Sequence, residues 1–262
     1  MFHDGNIIDP EKSSAGKAAS IMMKDLNIDI DINISVIKRI PEGVGLGSSG
    51  SSASGSVFAI NELLNLGLSE NRLAYYGGIG EQAASGTPHW DNTSASLLGG
   101  GALLVSVKPF IVKQFFISNA FKFSLIIPDI RIKRKTLTAR SVIPTQIYLS
   151  DGVEVTRNLL GTVDSLSSGK SDNLEIFMNE SIVDRSREQI YPYLHVLSDV
   201  LYRSGASGVC ISGAGPSVLI ISDSKPLGEI INSGIKKLKD LGLSAKGMEL
   251  NIGRGCKVVR MG

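Results

Sequence analysis

An α+β fold in two domains is what the sequence predicts, and three observations carry that expectation. Segments of strand and helix periodicity are mixed without a regular βαβ alternation, which favours α+β over a doubly wound sheet. The length, 262 residues, suits one large domain or two ordinary ones. The character of the chain changes near Lys113, so the domains are placed at residues 1–112 and 113–262.

The elements follow in order. Ser13 and Ser14 stand before AGKAASIMMKDL and mark a helix start. Gly16 and Lys17 look like the end of a Walker A loop, but the upstream glycine is missing and Ala18, not Ser or Thr, follows. IDIDINISVIKRI, from Ile28, alternates apolar and polar residues and predicts a half-buried strand. Pro41 and Gly43 mark a turn. VFAINELLNL places Val57, Ile60, Leu63 and Leu64 on one helix face. Gly67 ends that helix and Ser69 caps the next. TPHWDN reads as a polar loop, and SLLGGGALLVSVKPF as a strand broken by glycines. Beyond the boundary, FKFSLIIPD is a strand and a mostly helical region runs from about Lys135 to Leu201. SGVCISGAGPSVLIISD then reads as strand, glycine-rich turn and strand. GEIINSGIKKLKDLG is an amphipathic helix, and SAKGMELNIG a closing strand.

Composition narrows the function. Apolar residues make up 42% and charged residues 20%, a normal globular balance. Net charge is +2, and the densest basic run, RIKRK at Arg131–Lys135, reads as a solvated face, so nucleic acid is not expected as a partner. The two cysteines, Cys210 and Cys256, have neither CxxC spacing nor a nearby His, which supports neither a zinc site nor a disulfide framework. Cys210, in SGVCIS, reads as a small buried hydrophobe. The N-terminal residues show no secretory pattern, and every apolar run is shorter than the ~20 residues that span a bilayer. A soluble cytoplasmic protein without a membrane partner is expected.

The stretch PEGVGLGSSGSSASG has two readings, a flexible spacer or a phosphate cradle. A predicted strand precedes it and an amphipathic helix follows directly, which favours the cradle. Amides at a helix start are unsatisfied donors at the positive end of the dipole, and glycines let such a backbone wrap closely around phosphate.

At these residues the chain resembles the GHMP kinases, whose phosphate motif is Pro, three residues, then Gly-Leu-Gly-Ser-Ser. The match runs through Pro41, Gly45, Leu46, Gly47, Ser48 and Ser49, with Gly50, Ser51 and Ser52 continuing it. GEQAASGTPHWDN, Gly80 to Asn92, is similar to the segment that marks homoserine kinases within that superfamily. ISGAGPSVLI, Ile211 to Ile220, is similar to its third glycine-rich motif. Order and spacing agree along essentially the whole chain.

The resemblance implies a ribosomal-protein-S5-like N-terminal domain, incomplete at its start, and a ferredoxin-like C-terminal domain. It implies phosphoryl transfer from ATP to the hydroxyl of homoserine, giving O-phosphohomoserine in threonine biosynthesis. Residues 41 and 45–52 would hold ATP, and Ser49 and Glu81 would hold Mg²⁺. His89, Asp91 and Asn92 would bind substrate, with Asn92 orienting the attacking hydroxyl. Asp91 is assigned to binding first and to base chemistry second, since no clear Lys partner accompanies it. Arg140 and Arg187 match the family's clamp for the substrate carboxylate, with Arg185 two residues from the latter. Gly213 would line the site. Catalysis of this kind rests on positioning and charge neutralisation.

The sequence departs from the family in two places. Members carry an upstream segment like Ser-Ser-Ala-Asn-Leu-Gly-Pro-Gly-Phe-Asp that nothing here matches. A sheet lacking those strands would expose an edge, so poor solubility or weak activity is expected of the 262 residues, and recovery of both with an upstream extension. Gly50 stands where the family often has Ala. Two other readings compete: a mevalonate- or shikimate-type kinase of the same superfamily, and a remnant that binds nucleotide without turnover. Oligomeric state is left open, a homodimer included.

Overall fold

The computed structural model describes residues 2–3, 6–7, 9–82, 86, 88–130, 132, 135–178 and 182–259. Most of the RIKRK run lies outside them, as do residues 83–85 and 87 of the second motif. The chain forms two units, Met1–Phe115 with Ile252–Gly262, and Phe116–Asn251. The last residues therefore pack with the first unit: Cys256 N–H donates to Leu97 O at 2.9 Å, and Gly100 N–H to Gly253 O at 2.9 Å.

Small residues govern the packing of the first unit. Its helices are α1 (Ser14–Asp25), α2 (Ser48–Leu63), α3 (Glu70–Gly80) and α4 (Trp90–Leu98). SSGSSASGS is thus not a spacer but the first half of a helix. Its serines bind neighbouring backbones where helices cross closely. Ser56 Oγ donates to Ala15 O at 2.8 Å, and Ser54 Oγ to Thr93 O at 2.8 Å. A Cβ on Gly80 of α3 would stand 2.5 Å from Ala18 Cβ of α1. The core gathers Ala18, Met22, Val57, Ile60, Leu73 and Leu97.

Four expectations change. Ile28–Ile34 keeps an extended course, with Ile32 and Ile34 leaning on this core, but only Ser35–Val36 forms a strand, pairing parallel with Phe2–His3. The alternation was legible; a ladder also needs partner backbone, and none stands beside Ile28–Ile34 among the described residues. Leu63 is 66% exposed, so the buried face of α2 is Val57, Ile60 and Asn61, with Leu64 partly buried. TPHWDN is not all loop, because α4 begins at Trp90 with His89 as its N-cap. The glycine-broken strand resolves into the end of α4, two left-handed glycines at 99 and 100, and a hairpin of Gly101–Val107 with Phe110–Phe115.

The second unit holds a four-stranded antiparallel sheet. Its strands, in spatial order, are Gly208–Ile211, Val218–Ser222, Lys122–Pro128 and Ala245–Leu250. The central strand pairs on both sides, Leu125 standing opposite Leu219 and Met248. The helices Leu194–Arg203 and Leu227–Asp240 cover the sheet, burying Leu197, Leu201, Ile230 and Leu238 against Ile126, Val209 and Ile220. The expected helical region contains Lys135–Ser141, Leu149–Ser168, Leu174–Met178 and Ile182–Arg187. With two helices between strands in this order, the sheet is of the ferredoxin-like kind.

Candidate active site

In the first unit the loop before α2 turns on left-handed glycines, with φ of 73° at Gly43, 87° at Gly45 and 65° at Gly47. Gly47 is the N-cap of α2, and a Cβ there would lie 3.6 Å from the Asn92 side chain in a conformation L residues rarely adopt. The amides of Ser48, Ser49 and Gly50 occupy the first turn, where a helix supplies no i−4 carbonyl. The hydroxyls divide their work. Ser51 and Ser52 donate to Ser48 O at 2.9 and 3.1 Å, and Ser48 donates to Ile40 O at 3.0 Å. These bonds fasten the loop to its helix. Pro41 enters the turn just after Ile40, and Leu46 sits half-buried between the glycines.

Ser49 points elsewhere. Its Oγ donates to Glu81 Oε1 at 2.6 Å, while its carbonyl accepts from Ser14 Oγ at 2.9 Å. Glu81 caps the C-terminus of α3, its N–H reaching Gly77 O and Gly78 O at 3.3 and 3.2 Å. Only 4% of this residue is exposed. A buried carboxylate at the negative end of a helix dipole is doubly unfavourable unless something positive or hydrogen-bonding compensates. Ser49 is one compensation. His89 is another, its Nδ1 lying 3.4 Å from Glu81 Oε2. A hard cation fits this oxygen pair well. Among the described residues no cluster of three or more His, Cys, Asp or Glu could form an all-protein metal cage.

The first turn of α4 completes the set. His89, expected to meet substrate, has its Nδ1 directed at Glu81. Asp91 is exposed in the first turn, where the helix dipole favours a negative charge. Asn92 packs on the start of α2: a Cβ at Gly50 would stand 3.0 Å from Asn92 Cβ.

In the second unit, Arg187 at the end of Ile182–Arg187 donates from Nη1 to Gly213 O. Gly213 has φ of 55° and opens the turn of SGAGPS. Burial, and the like charge of Arg140, hold the Arg187 guanidinium below its ordinary value, while Asp184 and Tyr191 act in the opposite sense. Arg187 Nε is buried without a hydrogen-bond partner among the described residues. Arg140 is exposed, beside the buried Ala139. Arg185 is exposed, whereas Arg187 is half-buried on the glycine turn.

Three contacts escaped the sequence reading. Ser14 braces the Ser49 carbonyl. Tyr191 OH donates to Ala214 O at 2.8 Å and Tyr193 OH to Pro216 O, which ties the glycine turn to the core. Burial raises both phenols above their ordinary value. The YPY spelling was the only signal for these contacts, which cross 23 residues.

The family described as GHMP kinases N terminal domain matches residues 13–100, and GHMP kinases C terminal matches residues 163–248. A homoserine kinase of Thermoplasma volcanium is 39% identical over 253 residues, covering 96% of this chain and 82% of its own length. One from Saccharolobus solfataricus is 35% identical over 250 residues, covering 95% of this chain and 80% of its own. The crystal structure of homoserine kinase from Cytophaga hutchinsonii superposes with a TM-score of 0.83 at 29% identity, covering 95% of this chain and 79% of that one. The chain belongs to the GHMP kinases and, within them, to the homoserine kinase family.

Proposed function

We propose that the chain is an ATP-dependent kinase that phosphorylates the side-chain hydroxyl of homoserine, serving threonine biosynthesis in the cytoplasm. The observation that carries this reading is the Ser49–Glu81 pair at the mouth of a glycine-built helix start, with Asn92 packed on the same loop. Residues 1–112 would supply nucleotide handling and residues 113–262 the arginines.

In this reading the amides of residues 47–50 and the loop glycines hold the nucleotide phosphates, with Pro41 and Leu46 shaping the turn and Ser48, Ser51 and Ser52 fastening it. Ser49 Oγ and a Glu81 oxygen hold Mg²⁺. When bound, the ion supplies charge neutralisation at the transferring phosphoryl group. His89, with its proton on Nδ1, keeps Glu81 aimed. Asn92 orients the homoserine hydroxyl, and Asp91 takes the ammonium or, failing that, the hydroxyl proton. Arg187 and Arg140 take the substrate carboxylate, the unmet Nε of Arg187 being suited to a bidentate anion. Most of the rate then comes from positioning rather than from a strong base.

The experiment is ³¹P NMR of the chain incubated with ATP, Mg²⁺ and L-homoserine. A phosphomonoester signal growing with loss of the γ-phosphate is expected. Release of inorganic phosphate only, or no change, would contradict the proposal.

A further inference from the structure

The residue between His89 and Asp91 is the only tryptophan of the chain, and its surroundings are specific. The Trp90 indole stacks on Tyr75, with ring centroids 6.2 Å apart and planes at 12°. Phe110 flanks the stacked pair, edge-on to both rings, with centroids 5.6 Å from Trp90 and 5.5 Å from Tyr75. The indole N–H donates to Tyr75 O at 3.3 Å. Beneath the ring lies Gly78 of α3, where an added Cβ would fall 1.9 Å from Trp90 Cδ1. The backbone is held too, since Ser94 Oγ and Thr93 Oγ1 donate to Trp90 O at 2.5 and 3.2 Å.

This cradle anchors the turn that carries His89, Asp91 and Asn92. Two residues close to Trp90 in the turn point to different duties, His89 to Glu81 and Asn92 to the phosphate loop. A rigid indole between them fixes both directions at once. Its rings come from α3 and from the strand Phe110–Phe115, which are packed elements, not loops.

We infer that Trp90 is a positioning residue that, through the Tyr75–Phe110–Gly78 cradle, sets the geometry of His89 and Asn92 for phosphoryl transfer. The inference rests on the proposed kinase reaction. Displacing a reacting group by ~1 Å can cost about 100-fold in rate, so the role shows in kcat more than in ground-state binding.

The test compares Trp90→Phe, Trp90→Leu, Gly78→Ala and the double variant Gly78→Ala/Trp90→Leu. Two readouts are used: kcat and KM for ATP and homoserine, and amide hydrogen exchange of residues 88–94 in the free chain. Trp90→Leu should lower kcat by about 10- to 100-fold with KM for ATP within about threefold. It should also speed exchange in the turn, and Trp90→Phe should restore both. Gly78→Ala should act like Trp90→Leu, and the double variant should be no worse than either single one, because both remove the same contact. Tyr75→Leu, which removes the stacking ring but keeps the indole, replaces Trp90→Leu if that variant does not fold. Unchanged kcat, multiplying effects in the double variant, or exchange in the turn identical to wild type would overturn the role. A wild-type chain that does not phosphorylate homoserine would contradict the proposed reaction instead, and the exchange comparison would still decide the positioning claim.

Discussion

Ser49 Oγ and Glu81 Oε1 lie 2.6 Å apart although 32 residues separate them in sequence. One comes from the first turn of α2, the other caps the end of α3, and small residues let these helices approach. Replacing Glu81 by Gln keeps the shape and removes the charge. The expected result is a loss in kcat of about 100- to 1,000-fold, the scale of a lost charge-stabilising group. The melting temperature should hold or rise, since a buried charge at a helix C-terminus disappears. A calorimetric titration of Mg²⁺ in the presence of a non-hydrolysable ATP analogue should show weakened binding. Normal kcat in Glu81→Gln would remove it from the metal site.

The two neighbouring arginines should behave differently. Arg187→Ala and Arg140→Ala should each raise the homoserine KM by about tenfold or more, as expected for a lost charge-assisted hydrogen bond. The ATP KM should stay nearly unchanged. Arg185→Ala should leave both constants near wild type, because Arg185 is exposed while Arg187 reaches the Gly213 carbonyl. Steady-state kinetics of the three variants decide this.

Gly16, read in isolation, suggested a nucleotide loop, but its use is packing. A Cβ there would stand 2.5 Å from Pro10 Cα and from Pro10 O, both rigid backbone atoms. Gly16→Ala should therefore destabilise by about 1–3 kcal/mol through overpacking, despite the better helix propensity of Ala. Thermal denaturation would show it as a lowered Tm; a raised Tm would mean that the turn at Pro10–Lys12 yields freely.

Burial pushes the Cys210 thiol up to about 12 and that of Cys256 up to about 11, against an ordinary value of 9.0. Tyr193 and Tyr202 are raised by burial as well. All these groups keep their protons in the folded chain where the unfolded chain releases them. The unfolded state then binds fewer protons, so stability is full below about pH 9 and falls as pH rises toward the folded values. Denaturant midpoints measured from pH 7 to 11 should decline at the alkaline end. Both thiols are half-buried, so at pH 8 each should react with a disulfide reagent more slowly in the native chain than after unfolding; equal rates would contradict their raised values.

The glycine run was legible as a helix-start cradle from the strand-like and helical segments around it. Glu81, His89, Asp91 and Asn92 stood out through the resemblance to the GHMP kinases, not through residue type. Pairing was not legible. Ile28–Ile34 has the alternation of a strand, yet a ladder depends on what backbone stands beside it. Trp90–Asn92 read as loop because Asp and Asn serve turns and helix N-termini equally well. Leu63 fell on the wrong side because α2 has small residues on most of its first half and gives a weak apolar stripe. Ser14, Tyr191 and Tyr193 act over long separations with no local pattern to announce them.

The most direct test of the central claim is the ratio of kcat/KM values for homoserine, mevalonate and shikimate, measured by ADP release under identical ATP and Mg²⁺. Homoserine should be preferred by at least about 100-fold, since only it offers both the carboxylate for the arginines and the ammonium for Asp91, and unpaired site groups penalise the others. Preference for mevalonate or shikimate, or nucleotide binding without turnover of any of the three, would contradict the account.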